Sequence, residues 1–260
     1  WNSPPARALR DARVPVYRAI EAAVSSLARL ASDERPTRPV PMLPVAASPP
    51  LARDDYMSAR AVLTAAGIAF AEARSVRTVD EAIAAASELG YPVVLKALGG
   101  GPHKSDTGGV ILGLHDRSEL AAAATEVVAR ARPQEMSVER AEETADGFEL
   151  IIGARWDARF GPIVLAGAGG LLAEVFQDVA VALAPVDEAE ALTLLESLRC
   201  APALIGARGR PPLDTRAAAR ALMALSRFAA AHPEVAEVEV NPLIVRARDA
   251  VALDAHVVLR

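Results

Sequence analysis

Apolar and polar positions change period repeatedly along this chain, and each change marks an element. From Arg53 to Ala66, the spacing of Met57, Ala61, Val62 and Ala65 predicts a helix with Gly67 at its C-terminal end. Ile68–Ala73 suits a strand. A helix capped by Thr78 or Asp80 runs to Leu89 and is closed by Gly90. Pro92–Leu98 reads as a strand, Val110–Leu114 as its antiparallel partner, and Asp116–Ala131 as a helix. Strands are predicted at Met136–Arg140, Glu149–Ala154 and Pro162–Ala166, and helices at Asp187–Leu198 and Asp214–Ala231. Val235–Val245 and Ala250–Leu259 close the chain as strands. Strands and helices mixed with hairpins predict an α+β fold rather than a purely doubly wound sheet.

The first residues follow a different plan. Val14-Pro15-Val16-Tyr17 reads as a short strand, followed by an Ala-rich helix ending at Leu30. One strand and one helix cannot close a core alone, so this segment is expected to finish a body whose bulk lies upstream. Six prolines between Pro36 and Pro50 predict a semi-rigid linker, and a new unit begins near Leu51.

Composition narrows the function classes. The chain has 260 residues, 52% of them hydrophobic and 23% charged, as in globular proteins. A net charge of −5 provides no basic field for nucleic acid or an anionic membrane. Aromatics at 4% leave few stacking platforms for single strands. The single cysteine, Cys200, excludes an internal disulfide framework and suits the cytoplasm. No apolar run reaches membrane-spanning length.

Lysine use is more telling. Two of the 28 basic residues are lysine, Lys96 and Lys104, and the rest are arginine. Both lysines fall in one stretch: an apolar strand, a loop from Gly99-Gly100-Gly101 through His103-Lys104-Ser105 to Gly108-Gly109, then another strand. A compact ammonium enters a crowded phosphate site where a planar guanidinium does not. Glycines let backbone N–H groups approach phosphate oxygens. The stretch matches neither a P-loop nor a dinucleotide fingerprint. His103, in mid-loop, suits either a nucleophile near neutral pH or a solvated side chain.

A second cluster lies at the C-terminus. Glu237, Glu239 and Asn241 alternate with Val238 and Val240, which puts the polar groups on one strand face. If Arg246–Asp249 form a hairpin loop, facing residue numbers sum to 495 and Asn241 opposes Asp254. Alone, an acidic strand face is a solvated edge. With the Asn-Pro step and the opposed Asp, it suits magnesium, which keeps waters and shares substrate phosphates.

These residues resemble a family. His103-Lys104-Ser105-Asp106-Thr107-Gly108-Gly109-Val110 is similar to the loop of the ATP-grasp domain in NDP-forming acyl-CoA synthetases, relatives of succinyl-CoA synthetase. The likeness continues through Asp157–Pro162, Gly167–Gly170, Gly206–Gly209 with Pro211, Pro212 and Asp214, Glu239–Leu243 and Asp254-Ala255. It implies an α+β ATP-grasp fold over 51–260, with a nucleotide-covering part at about 75–141 and a metal-binding part at 142–260. Residues 1–35 resemble the tail of a CoA-ligase-like domain, with 36–50 the linker. The resemblance implies ATP or ADP and Mg2+ as cofactors. Lys96 would touch the phosphates, and Gly99, Gly100, Gly101, Lys104 and Ser105 would cover them. Glu139, Arg140 and Ala141 would meet adenine through their backbone, with Glu149 at the ribose. Asn241, Asp254 and Glu239 would hold magnesium, and His103 would shuttle the phosphoryl group.

The implied partners are CoA-ligase and CoA-binding domains, upstream or on another subunit, with a small carboxylic acid and CoA as substrates. The implied reaction turns carboxylate, CoA and ATP into acyl-CoA, ADP and phosphate. A second reading is a non-catalytic, regulatory synthetase-like region of a protein lysine acetyltransferase. Two departures stand out: Gly99-Gly100-Gly101-Pro102 replaces a serine-containing segment, and His256 stands where Arg or Lys is usual.

Overall fold

A computed structural model describes residues 3–31, 50–98, 109–131, 133–170 and 178–260. The chain separates into two compact units, Trp1–Val40 and Pro41–Arg260. In the first, Pro4–Asp11 is a helix (α1) with proline in its first turn, where a missing N–H costs nothing. Ile20–Ala31 is a second helix (α2). The strand expected at Val14–Tyr17 is not formed. Val14 N–H instead returns to the carbonyl of Leu9 at the end of α1, and the described part of this unit has no strand to pair with.

In the second unit the chain starts with helix α3, Tyr56–Ala65, whose first turn is capped by Asp55 accepting from Ser58 N–H. The buried face of α3 is Tyr56, Ala59, Arg60 and Leu63. The predicted face, Met57, Ala61, Val62 and Ala65, is exposed or half-buried, because Arg60 has a buried partner that outweighs its polarity.

Beyond α3, the expected strand Ile68–Ala73 is displaced. Ile68 is buried and its N–H closes the helix end on Leu63 O. Phe70 makes only an isolated bridge to Ala252, and the regular strand β1 is Ala73–Val76. The apolar run therefore serves two bodies in succession, which no single strand period describes.

Four strands form the smaller sheet in the order β1-β4-β2-β3: β1, β2 (Val93–Leu98), β3 (Val110–Leu114) and β4 (Glu135–Arg140). Helices α4 (Val79–Leu89) and α5 (Arg117–Ala131) cover it. Their facing alanines and leucines make a core with Val93, Leu95, Met136 and Val138. Thr78 caps α4 by accepting from Glu81 N–H.

The larger sheet has six antiparallel strands: β5 (Phe148–Asp157), β6 (Gly161–Ala168), β7 (Val179–Leu183), β8 (Val235–Val245), β9 (Ala250–Ala252) and β10 (Ala255–Leu259). Helix Thr215–Ala231 packs one face of this sheet through Ala218, Leu222, Leu225 and Phe228. Helix α3 joins the same core through Ala59 and Leu63. Among the described residues each sheet has its own main core, with a small third cluster at Ala71, Ile244 and Val251, and α3 belongs to the larger body.

Candidate functional site

The closing hairpin has the expected register. Val240 faces Ala255, Glu239 faces His256, and Leu243 faces Ala252, so paired numbers sum to 495. The single expected strand Ala250–Leu259 is nevertheless split at Leu253 and Asp254. Leu253 N–H bonds to Pro242 O at 3.0 Å, but Pro242 has no N–H to return. The Leu253 carbonyl is left for another donor, the Lys96 ammonium, with the Tyr56 hydroxyl oxygen nearby. Lys96 Nζ lies 2.7 Å away and Tyr56 Oη 3.3 Å. A gap in the β-ladder has become an acceptor for the buried lysine.

Around that acceptor sits a box built from both sheets and α3. Lys96, on β2, is 9% exposed and its ammonium also donates to Tyr56 Oη at 2.8 Å. Glu139, on β4, lies 3.2 Å from Lys96 Nζ and 3.0 Å from Arg60 Nη1. Ser137 and Tyr56 hydroxyls both donate to Glu139 Oε1. Nη2 of Arg60 donates to Ala71 O. Burial, reinforced by the Glu139 carboxylate, pushes the Tyr56 phenol well above its ordinary range, so Tyr56 is a neutral hydroxyl here. Buried charges need such partners.

At the box's mouth Asp254 places Oδ1 3.8 Å from Lys96 Nζ, with its side chain about half exposed. Asn241 N–H donates to the Asp254 carbonyl at 3.1 Å, and Asn241 Nδ2 reaches Glu239 Oε1 at 3.3 Å. Glu239 and Asn241 stand on β8, and Asp254 lies opposite Asn241 in the break between β9 and β10. Their hard oxygen donors fit magnesium that keeps part of its water. Among the described residues no group of three or more His, Cys, Asp or Glu side chains forms a fuller cage.

The other expected site residues lie elsewhere. Arg140 N–H donates to Glu72 O at 2.8 Å and Ala141 N–H to Pro92 O at 3.1 Å, so both donors are engaged at the strand end. The Arg140 side chain bonds Glu72 and Leu89 O. Glu149 is exposed at the start of β5, paired with Ile244 of β8, and its carbonyl accepts from Gly169 N–H. Gly170, at φ +60°, has no room for a side chain with the Glu149 carboxylate in place. Gly99, Gly100, Gly101, His103, Lys104 and Ser105 lie outside the described residues.

Sequence reasoning missed Tyr56, Arg60 and the Leu253 carbonyl. Tyr56 and Arg60 are four residues apart on one helix, a spacing that puts them on one face. That was the available signal. A separate apolar cavity of about 630 Å³, lined by Leu51, Val62, Phe228 and His232 among others, shares no residue with the box. The buried charges converge at the box instead.

Comparison with known proteins bears on the family and the fold. The family model described as an ATP-grasp domain matches residues 53–259. Trans-feruloyl-CoA synthase FCS1, from an unknown prokaryotic organism, is 36% identical over 205 residues. That match covers 76% of this chain but only 29% of the relative's length. The β subunit of ADP-forming acetate–CoA ligase I from Pyrococcus furiosus is 32% identical, with 77% of this chain and 89% of the subunit covered. Among solved structures, dinucleotide-forming acetyl-coenzyme A synthetase 1 of Ca. Korarchaeum cryptofilum, in complex with coenzyme A, Ca-AMPCP and HgCl+, superposes with a TM-score of 0.74 at 33% identity. It covers 80% of this chain and 95% of that one. A buried lysine facing an oxygen-rich hairpin, on two sheets of this topology and over this length of match, identifies the chain as a member of the ATP-grasp domain family, in the branch that includes the β subunits of ADP-forming acetate–CoA ligases.

Proposed function

We propose that this chain is the nucleotide-binding, phosphoryl-transfer part of an NDP-forming acyl-CoA synthetase. The observation that carries the reading is the 3.8 Å approach of Lys96 to Asp254, a cation from one sheet meeting a carboxylate from the other. Phosphoryl transfer needs a cation on the phosphates, a metal position beside them and an aligned acceptor. Lys96 supplies the first and Glu239, Asn241 and Asp254 the second. Magnesium held there would neutralise charge on the phosphate oxygens. In this reading Glu139–Ala141 would meet the nucleoside through backbone groups other than the engaged N–H donors of Arg140 and Ala141, with Glu149 at the ribose, and Gly99, Gly100, Gly101, Lys104 and Ser105 would contact the phosphates.

His103 is the acceptor in this reading. An imidazole nitrogen attacks the γ-phosphorus of ATP, a P–N bond forms, the P–O bond to ADP breaks, and ADP leaves. The phosphoryl group then passes to a carboxylate and CoA displaces phosphate, on CoA-ligase and CoA-binding domains outside this chain. A chain matching 29% of one relative and nearly all of a β subunit suits such a division of labour. The substrate class is a small carboxylic acid with CoA.

The test is His103→Ala in the complete synthetase, assayed for acyl-CoA formation and, separately, for ADP binding. The expected result is lost synthesis with binding retained. Unchanged turnover would remove the shuttle role.

A further inference from the structure

Tyr56 brings its phenol into the box with its hydrogen-bonding capacity engaged. The hydroxyl donates to Glu139 Oε1 and accepts from both Lys96 Nζ and Arg60 Nη1, each contact being 2.8 Å. The three groups come from α3, β2 and β4, so one oxygen ties helix to sheet. Arg60 and Lys96 in turn share one oxygen of Glu139, at 3.0 and 3.2 Å. Two buried cations therefore face one buried anion. Asp254, the other charge at Lys96, is farther away at 3.8 Å and about half exposed, so solvent screens it more.

The consequence is electrostatic. Were Glu139 paired with Lys96 alone, the two would cancel and the lysine would have little attraction left for a phosphate. Arg60 draws on the same carboxylate and leaves the ammonium only partly compensated. Resting on the reading of this box as part of a nucleotide site, we propose that Arg60 and Tyr56 are positioning residues for Lys96. Arg60 sets how much positive charge the lysine offers a nucleotide phosphate, and Tyr56 fixes its direction. Neither touches the nucleotide.

The test is calorimetric binding of ADP, AMP and adenosine to the 260-residue chain in magnesium buffer, for wild type, Arg60→Met, Arg60→Lys and Tyr56→Phe. Losing the charge in Arg60→Met is expected to weaken ADP about tenfold and adenosine less than about twofold. Arg60→Lys restores most of the loss, and Tyr56→Phe weakens ADP several-fold while also sparing adenosine. A merely structural role would weaken all three ligands alike, and that result overturns the inference. So does ADP affinity within about twofold of wild type in both Arg60→Met and Tyr56→Phe. Circular dichroism checks folding; should Arg60→Met not fold, the nearly isosteric Tyr56→Phe decides alone. Absence of ADP binding to wild type would instead remove the nucleotide reading itself.

Discussion

Lys96 Nζ and Asp254 Oδ1 lie 3.8 Å apart across two separately cored sheets. The lysine can stand there because Pro242 withholds an N–H and leaves the Leu253 carbonyl to receive it. The site's first contact is thus a by-product of a broken β-ladder.

Glu139 holds this arrangement together, and its removal exposes two cations to each other. Glu139→Ala is expected to cost about 3–5 kcal/mol of unfolding free energy, the usual consequence of orphaning buried charge. Urea denaturation checks it. A loss under about 1 kcal/mol would mean that water already screens the box.

Nucleotide binding should be visible as stabilisation. At a hundredfold excess over Kd, ADP with magnesium is expected to raise the midpoint of thermal unfolding by on the order of 5–10 °C. In Asp254→Asn the shift should persist with a weaker dependence on magnesium concentration. A shift identical in both proteins at every magnesium level would take Asp254 out of the metal site.

Acid sensitivity has a local source at Glu234. Burial works to raise its pKa, but hydrogen bonds from Leu51 N–H, its own backbone N–H and His232 outweigh this and hold it below the ordinary 4.5. Since an ionised carboxylate only accepts, His232 Nδ1 is the donor across their 2.9 Å contact. A depressed folded-state pKa gives stability that is present above the unfolded value and lost as pH falls through the folded one. The stability gap between wild type and Glu234→Gln is therefore expected to shrink between about pH 5 and pH 3. A constant gap would assign the acid loss to other carboxylates.

Gly206 is the backbone position least tolerant of a side chain among those described. It sits at φ +91°, and a Cβ there would stand 2.6 Å from Arg210 O and 2.9 Å from Pro212 N. Gly206→Ala is expected to cost about 1–3 kcal/mol, read by thermal unfolding. Retained stability would require the turn to relax, which a crystal structure of the variant would reveal.

Much of this was legible in residue order. The hairpin register and the β8 face of Glu239 and Asn241 follow from alternation alone, because a buried valine row fixes which side chains point out. Thr78, one of the two caps the sequence offers for α4, accepts Glu81 N–H, whereas Asp187 and Asp214, read as the first residues of helices, turn out to cap them. Arg60 was illegible for a physical reason. Arginine is seldom inside unless paired, and its partner Glu139 is 79 residues away in sequence. The apolar count therefore favoured the wrong face of α3. Likewise Ile68–Ala73 looks like a strand that in fact begins only at Ala73, since nothing local tells the chain which sheet it serves.

The smaller sheet starts and finishes at one doorway: Arg140 N–H donates to Glu72 O at 2.8 Å. The described residues between Ala73 and Arg140 form a loop-out whose two stems already touch, like a cassette clipped onto the larger body. Because both stems meet at one place, a swap of the cassette would leave the threading of the six strands beneath unchanged. What a swap must carry along is its half of the lysine box, since Lys96 and Glu139 ride on the cassette while Tyr56, Arg60 and Asp254 stay behind.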